Sequence, residues 1–182
     1  METVKKVALV VIDMQNDFID GALKNEEAIA IIDNVANMVK TARKVGIPVI
    51  FTRDTHYEDY METVEGKHLP VLHCIKDTEG WQISSKIEVL ESDKIIDKPT
   101  FGSLELADYL ATLDVDEIEI IGVCTDICVI SNAMIIKAKC PEKEIFVNES
   151  CCAGITPESH KNALEAMKMC HINVHSNNNE LD

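Results

Sequence analysis

The stretch DEIEIIGVCTDICVISNAMIIKAK, residues 116–139, contains the pattern that decides the fold class. Its first part, 116–123, is rich in isoleucine and has the length of a buried strand. The segment 125–139 continues with the apolar character of a helix, and Thr125 is expected to cap the N-terminus of that helix. A strand that leads directly into a helix is typical of a βαβ unit, in which the strands are parallel.

The rest of the chain repeats this alternation of strands and helices. Strands are predicted at 4–13, 47–54, 92–99, 143–150 and 172–175, and helices at 26–44, 79–90, 103–113 and 156–170. Outside its one helix, the polar segment 55–92 is predicted to be irregular. We therefore expect an α/β fold of three layers, α/β/α, with a central, mostly parallel six-stranded sheet.

Length and composition fit one domain over residues 1–182. The chain has 17 basic and 32 acidic residues and no basic block, so no nucleic-acid partner is expected. No apolar stretch reaches the ~20 residues that a membrane helix needs. The first apolar run lacks a signal-peptide cleavage site, and the seven cysteines follow no disulfide spacing. These features predict reduced thiols and a cytoplasmic location.

Reactive and charged side chains follow four of the predicted strands. In a parallel sheet the carboxyl ends of the strands meet at one edge, where ligands bind, so we expect these side chains to converge. Asp13, Lys98 and Cys128 would then supply a base, a cation and a nucleophile. The complete set is Asp13, Asp54 with His56, Lys98, and the segment from Cys124 to Cys128.

Cys128 falls in the first turn of the helix predicted at 125–139. The partial positive charge of that turn favours a thiolate, and its unpaired backbone N–H groups could hold a developing oxyanion. Each residue also has a plainer interpretation: an inert buried thiol for Cys128, a loop cap for Asp13 and a solvated side chain for Lys98. Their conjunction at three strand ends is a stronger signal than any one of them.

A metal site is suggested by side chains in and just before the polar segment. Asp54 and His56 point to the same side of an extended segment, and His73 follows 17 residues later. One carboxylate and two histidines suit a divalent metal ion such as Zn²⁺, Fe²⁺ or Mn²⁺, and Glu65 is a candidate fourth ligand. Polar loops also contain such residues by chance, and His68 is expected to face solvent.

Three motifs in this chain resemble those of the isochorismatase-like cysteine hydrolases, the superfamily of nicotinamidase. They are VVIDMQNDF at 10–18, KPTFGSLEL at 98–106 and GVCTDICV at 122–129, and the likeness extends from about residue 5 to residue 175. The resemblance implies the fold of that superfamily and a catalytic triad of Asp13, Lys98 and Cys128. It also implies a cis peptide bond between Val123 and Cys124 and an oxyanion hole formed by the Cys124 and Cys128 amides.

The likeness also covers the metal and substrate positions. Asp54, His56 and His73 resemble the metal ligands of the nicotinamidase branch, and Glu65 resembles a ligand found in only some members. Phe18 is similar to an aromatic residue that packs on the pyridine ring, and Phe101 matches a second aromatic position loosely. The chain departs from the pattern at LPVL, 69–72, where nicotinamidases usually have an aromatic residue and two prolines, and at 77, where they often have glycine.

The activity implied by this resemblance is hydrolysis of nicotinamide to nicotinate and ammonia through a cysteine thioester. A metal-independent amidase acting on ureido or carbamoyl substrates is an alternative enzyme. An isochorismatase-type hydrolase is another, although that reaction needs no cysteine nucleophile. A non-enzymatic binding protein that uses the metal or the thiols on the same scaffold is a third alternative. Domains of this class often self-associate, so we expect a homo-oligomer that binds a small amide.

Overall fold

A six-stranded parallel sheet forms the centre of the structure, a computed structural model that describes residues 5–176. The first residue of the strand predicted at 4–13 lies outside the described part. The order of the strands is β3-β2-β1-β4-β5-β6, and every neighbouring pair is parallel, which confirms the expected sheet. The strands are β1 (Val7–Ile12), β2 (Val49–Asp54), β3 (Lys94–Lys98), β4 (Glu117–Val123), β5 (Glu144–Ala153) and β6 (Asn173–His175).

Helices cover both faces of the sheet, as the three-layer prediction required. Successive residues of a strand point to opposite faces, so Leu9 of β1 packs on the side of α2 while Val10 packs on the side of α4, α5 and α6. None of the helices in the described residues is long and apolar enough to cross a membrane. The helices are α1 (Asn16–Ile19), α2 (Glu26–Lys44), α3 (Val64–His68), α4 (Leu104–Thr112), α5 (Ile130–Lys139) and α6 (Pro157–Met169).

The prediction of a helix at 79–90 is wrong, because the backbone of that segment forms hydrogen bonds with the residues that follow β1. The amides of Asn16 and Asp17 donate to the carbonyls of Gln82 and Gly80, and the Ser84 amide donates to Met14. Tertiary pairing therefore replaces the local helix. The short helix α3 and a 3-10 turn at Tyr60–Glu62 lie earlier in the polar segment, where no helix was predicted.

The helix predicted at 125–139 consists of two pieces, and Thr125 does not cap it. Residues Thr125–Val129 form a π-helical turn that precedes α5, and Cys124 occupies the capping position without a side-chain bond. The Val129 amide donates to the Cys124 carbonyl at 3.0 Å, which gives the wider turn. The Thr125 hydroxyl lies 2.7 Å from His160 Nδ1 instead.

Gly122 permits β1 and β4 to approach closely beside the site. Its φ angle is +118°, and a Cβ atom there would lie 2.1 Å from the Ile12 carbonyl oxygen. No side chain fits that distance, and only glycine adopts such a conformation readily. The ends of the two central strands, which lead to Asp13 and Cys124, therefore lie side by side.

Candidate active site and metal centre

The carboxyl ends of β1 to β4 bring the predicted residues to one edge of the sheet. Asp13 follows β1, Asp54 and Lys98 are paired last residues of β2 and β3, and Cys124 follows β4. The chain crosses from β1 to β2 on one side and places β4 on the other. Such a change of direction opens a crevice beyond the strand ends, where ligands bind in this kind of sheet.

Lys98 lies between Asp13 and Cys128. Its Nζ atom is 2.6 Å from Asp13 Oδ2 and 3.5 Å from Cys128 Sγ, and all three residues are buried. The Thr52 hydroxyl donates to Asp13 Oδ1 at 2.6 Å. The other Asp13 oxygen, Oδ2, forms the ion pair with Lys98.

Burial determines the resting protonation of this set. It raises the pKa of the Cys128 thiol well above its ordinary value, because Lys98 offsets only part of the effect and nearby carboxylates add to it. The thiolate expected from the helix terminus is thus not the resting form. Burial also raises the pKa of Asp13 against the opposing effect of Lys98. Burial lowers the pKa of Lys98, but the carboxylates outweigh it and keep the ammonium charged.

Asp54, His56, Glu65 and His73 form a compact cluster beside this set. One potential ligand atom from each lies within 4.8 Å of all the others. His56 Nε2 is 3.0 Å from Asp54 Oδ2 and 3.4 Å from Glu65 Oε1, and His73 Nε2 is 3.5 Å from Asp54 Oδ2. Glu65 reaches the cluster from the first turn of α3. His68, on the same helix, is exposed, as expected.

The donor atoms of this cluster fit a divalent metal ion. His73 Nδ1 lies 2.7 Å from the Val71 carbonyl, and this hydrogen bond directs the lone pair of Nε2 toward the cluster. Two imidazole nitrogens and two carboxylates are a ligand set that suits zinc, iron or manganese. Burial lowers the pKa of His56, but Asp54 and Glu65 raise it to about 9. The carboxylates therefore attract positive charge to this point.

Asp54 belongs to both groups of residues. Its Oδ2 atom faces the histidines, while Oδ1 lies 3.4 Å from Lys98 Nζ. Burial raises the pKa of Asp54, but Lys98 and the histidines hold it well below its ordinary value. The carboxylate is thus ionised and can bind a cation on either side.

Gln15 fixes the backbone of Asp54, and the sequence analysis did not identify this residue. Its Oε1 accepts from the Asp54 amide at 2.7 Å, and its Nε2 donates to the carbonyls of Asp54 at 2.8 Å and Trp81 at 2.9 Å. The side chain is fully buried. A polar residue two positions beyond Asp13 was the available signal, but an amide has no acid, base or ligand chemistry that would draw attention to it.

One cavity of about 860 Å³ opens onto both groups. Cys124, Cys128, Asp54, Glu65 and His73 line its inner part. Phe18 lines it too, with its ring centroid 5.9 Å from that of His73. Phe101 lies at the mouth, 41% exposed, and Asn132 Nδ2 donates to its carbonyl. The structure thus brings all the predicted site residues to one cavity or its immediate wall.

The turn between β4 and the π-helical segment has the predicted backbone form. The peptide bond between Val123 and Cys124 is cis, as the resemblance implied. The Cys124 carbonyl accepts from the amides of Ile127 and Val129, both at 3.0 Å. Burial raises the pKa of the Cys124 thiol to about 12, so this side chain has no thiolate to offer.

Known proteins are similar to this chain in sequence and fold. Residues 7–178 match the isochorismatase domain. Nicotinamidase 3 of Arabidopsis thaliana is 30% identical over 129 residues, an alignment that covers 68% of this chain and 62% of that relative. Nicotinamidase of Saccharomyces cerevisiae is 26% identical over 211 residues, covering 91% of this chain and 97% of the relative. The pyrazinamidase of Pyrococcus horikoshii, solved in complex with zinc, has 30% identity and a TM-score of 0.84, covering 94% of this chain and 99% of its own.

Proposed function

The chain belongs to the isochorismatase family, and we propose that it is a cysteine-dependent amidohydrolase that converts nicotinamide and water to nicotinate and ammonia. The family and its nicotinamidase relatives indicate a hydrolase acting on amide C–N bonds. The observation that carries the proposal is the shared cavity. Lys98 contacts Asp13, Cys128 and Asp54, and residues of both groups line one cavity: Cys128, Asp54, Glu65 and His73.

In this proposal Cys128 is the nucleophile and Asp13 the base. Because the thiol is protonated at rest, its proton passes to Asp13 as sulfur bonds to the amide carbonyl carbon. The raised pKa of Asp13 makes that carboxylate a better proton acceptor than an exposed aspartate. Lys98, 3.5 Å from the sulfur, stabilises the negative charge that develops there.

The backbone amides of Cys124 and Cys128 are the proposed donors to the oxyanion of the tetrahedral intermediate. Collapse of that intermediate breaks the C–N bond, and Asp13 returns its proton to the leaving nitrogen, which departs as ammonia. A water molecule then attacks the thioester while Asp13 takes a proton from it. Cleavage of the C–S bond releases the acid, and the proton held by Asp13 restores the thiol.

Asp54, His56 and His73, with Glu65 as the fourth ligand, are the residues that would hold a divalent metal ion. When bound, the ion supplies a Lewis-acidic position for the pyridine nitrogen of the substrate. Phe18 would pack on the pyridine ring, and Phe101 would cover it from the mouth. The zinc in the Pyrococcus horikoshii relative supports zinc here.

The deciding experiment measures ammonia release from a panel of amides, starting with nicotinamide and pyrazinamide, with and without a chelator. We expect nicotinamide hydrolysis that the chelator abolishes and zinc restores, and none from Cys128→Ala. Retention of full activity in Cys128→Ala would refute the mechanism. Activity only on ureido or carbamoyl substrates, unaffected by chelator, would favour the metal-independent amidase instead. The homo-oligomer, the cytoplasmic location and the single domain over 1–182 remain predictions.

A further inference from the structure

The cavity continues outward beyond the proposed catalytic residues, and we propose that its mouth is a subsite for a cationic substituent on the amide substrate. We define this outer subsite by Leu69, Phe101, Ile155 and Glu27, all of which line the cavity. The inference rests on the proposed function, because the amide group is assumed to lie at Cys128. It specifies the charge of a substituent on the substrate, which the catalytic residues alone do not determine.

The size and shape of the cavity leave room beyond one ring. Its volume of about 860 Å³ is near the upper end of the range of roughly 300–1,000 Å³ for pockets that bind drug-sized ligands. Cys128 is only 5% exposed, whereas Leu69, Phe101 and Ile155 are 38%, 41% and 55% exposed. A single-ring amide that reaches Cys128 therefore occupies the buried inner end, and a ring substituent would extend along apolar side chains toward solvent.

The charges that line the cavity are mostly negative. Four acidic residues line it, and within the described residues its only lining cation is Lys24, whose Nζ lies 2.8 Å from Glu26 Oε1. Lys98 lies behind the cavity wall and is held by Asp13 and Asp54. Among the described residues that line the cavity, none therefore offers an unpaired cationic side chain to a negative substituent. The carboxylates are Glu26, Glu27, Asp54 and Glu65.

Glu27 is the acid that determines the sign of the charge in the outer subsite. A divalent ion would offset the charges of Asp54 and Glu65, and Lys24 offsets Glu26. In the described part of the chain no basic side chain lies within 4.0 Å of the Glu27 carboxylate. An alkylammonium substituent could thus pack its methylene carbons on the apolar wall and place its charge near Glu27. A carboxylate in the same place would meet a like charge.

Equilibrium binding to zinc-loaded Cys128→Ala protein tests this proposal by calorimetry. The ligands are three pyridine-3-carboxamides that differ only at ring carbon 5, which carries an aminomethyl, a hydroxymethyl or a carboxylate group. We expect the aminomethyl amide to bind about three- to fivefold more tightly than the hydroxymethyl amide, as for an exposed charge pair, and the carboxylate to bind more weakly by a similar factor. About 1 M sodium chloride should bring these ratios toward one.

A matched pair of charge-removing variants assigns the effect to Glu27. Glu27→Gln in the Cys128→Ala protein should bring the ratio of the aminomethyl and hydroxymethyl affinities to about one. Glu142→Gln removes a carboxylate at the opposite edge of the sheet, before β5, and should leave that ratio unchanged. Equal affinities for the three amides, tighter binding of the carboxylate, a ratio unaffected by Glu27→Gln, or no binding of any amide would each overturn the outer subsite.

The proposed function and the outer subsite fail separately in this design. Nicotinamide hydrolysis by the wild-type enzyme with no dependence of binding on substituent charge would leave the proposed function standing and remove the outer subsite. The predicted order of binding without nicotinamide hydrolysis would support the outer subsite and reject the proposed substrate.

Discussion

The ammonium group of Lys98 lies 3.4 Å from the carboxylate of Asp54, the residue beside it on the neighbouring strand. The same ammonium lies 2.6 Å from Asp13. One fully buried cation therefore pairs with two buried carboxylates, one from the proposed catalytic set and one from the proposed metal site. This arrangement makes the stability of the two sites depend on a single side chain.

Replacement of Lys98 by methionine should destabilise the protein strongly. Removing one partner of a buried ion pair leaves an uncompensated charge and costs about 3–5 kcal/mol of the free energy of unfolding. The double variant Lys98→Met/Asp13→Asn removes one of the stranded charges as well, so its loss should be smaller than the sum of the two single losses. Urea denaturation of the four proteins measures this difference. Additive losses would contradict the proposed charge sharing.

His73→Ala should abolish zinc binding, whereas His68→Ala should not. His73 directs Nε2 into the cluster, while His68 is exposed on α3 and serves as the matched control. Elemental analysis of purified protein should find about one zinc ion per chain in the wild type and in His68→Ala, as a four-ligand site predicts, and none in His73→Ala. Equal zinc contents in the two variants would place the metal elsewhere.

The rate at which iodoacetamide alkylates Cys128 should keep rising as the pH is raised. Only the thiolate reacts, and burial raises the pKa of this thiol well above its ordinary value, so the rate should rise about tenfold per pH unit from pH 7 to 9 without a plateau. Lys98 lowers that pKa, so Lys98→Met should react more slowly at each pH. Mass spectrometry of the peptide that contains Cys128 gives the rates. The Cys128→Ser protein, whose peptide cannot be alkylated at this position, is the control. A plateau near pH 7 would mean a resting thiolate.

Gln15→Leu should weaken zinc binding as well as the fold. The substitution leaves the buried amide and carbonyl of Asp54 without their partner, at a cost of about 1–3 kcal/mol for each unsatisfied group. The Asp54 carboxylate is then held less firmly in the position in which it would bind the metal. Competition with a chromophoric chelator should show zinc affinity reduced at least tenfold, in line with the loss of a supporting hydrogen bond. Asn16→Ala, which removes only an exposed bond to the Glu79 carbonyl, is the control and should keep wild-type affinity.

Much of this architecture could be predicted because its causes are local or depend on chain order. β1 is buried on both faces, so every residue of Val7–Ile12 is apolar and the strand is visible as a continuous run. Thr156 and Pro157 define the start of α6 by capping chemistry, and the capping box with Ser159 confirms it. The convergence of Asp13, Asp54, Lys98 and Cys128 follows from parallel strands alone.

The errors have a common physical origin in long-range contacts. The segment 79–90 was predicted to be a helix, but its amides and carbonyls pair with residues 14–17, which local pattern does not encode. Thr125 has the chemistry of an N-cap, yet His160 on another helix engages its hydroxyl. The partial charge of one turn suggested a thiolate at Cys128, whereas burial and nearby carboxylates, which raise the pKa of this thiol, depend on the complete fold.

The bond from Gln15 to the Trp81 carbonyl closes a chain segment of 66 residues. That segment contains β2 and supplies Asp54, His56, Glu65 and His73. Closing so long a loop has an entropic cost that the contacts of the docked segment must offset, and contacts of long sequence separation slow folding. A chain in which the segment 79–84 has not docked against the end of β1 would lack the Trp81 carbonyl that helps to hold Gln15 against the backbone of Asp54.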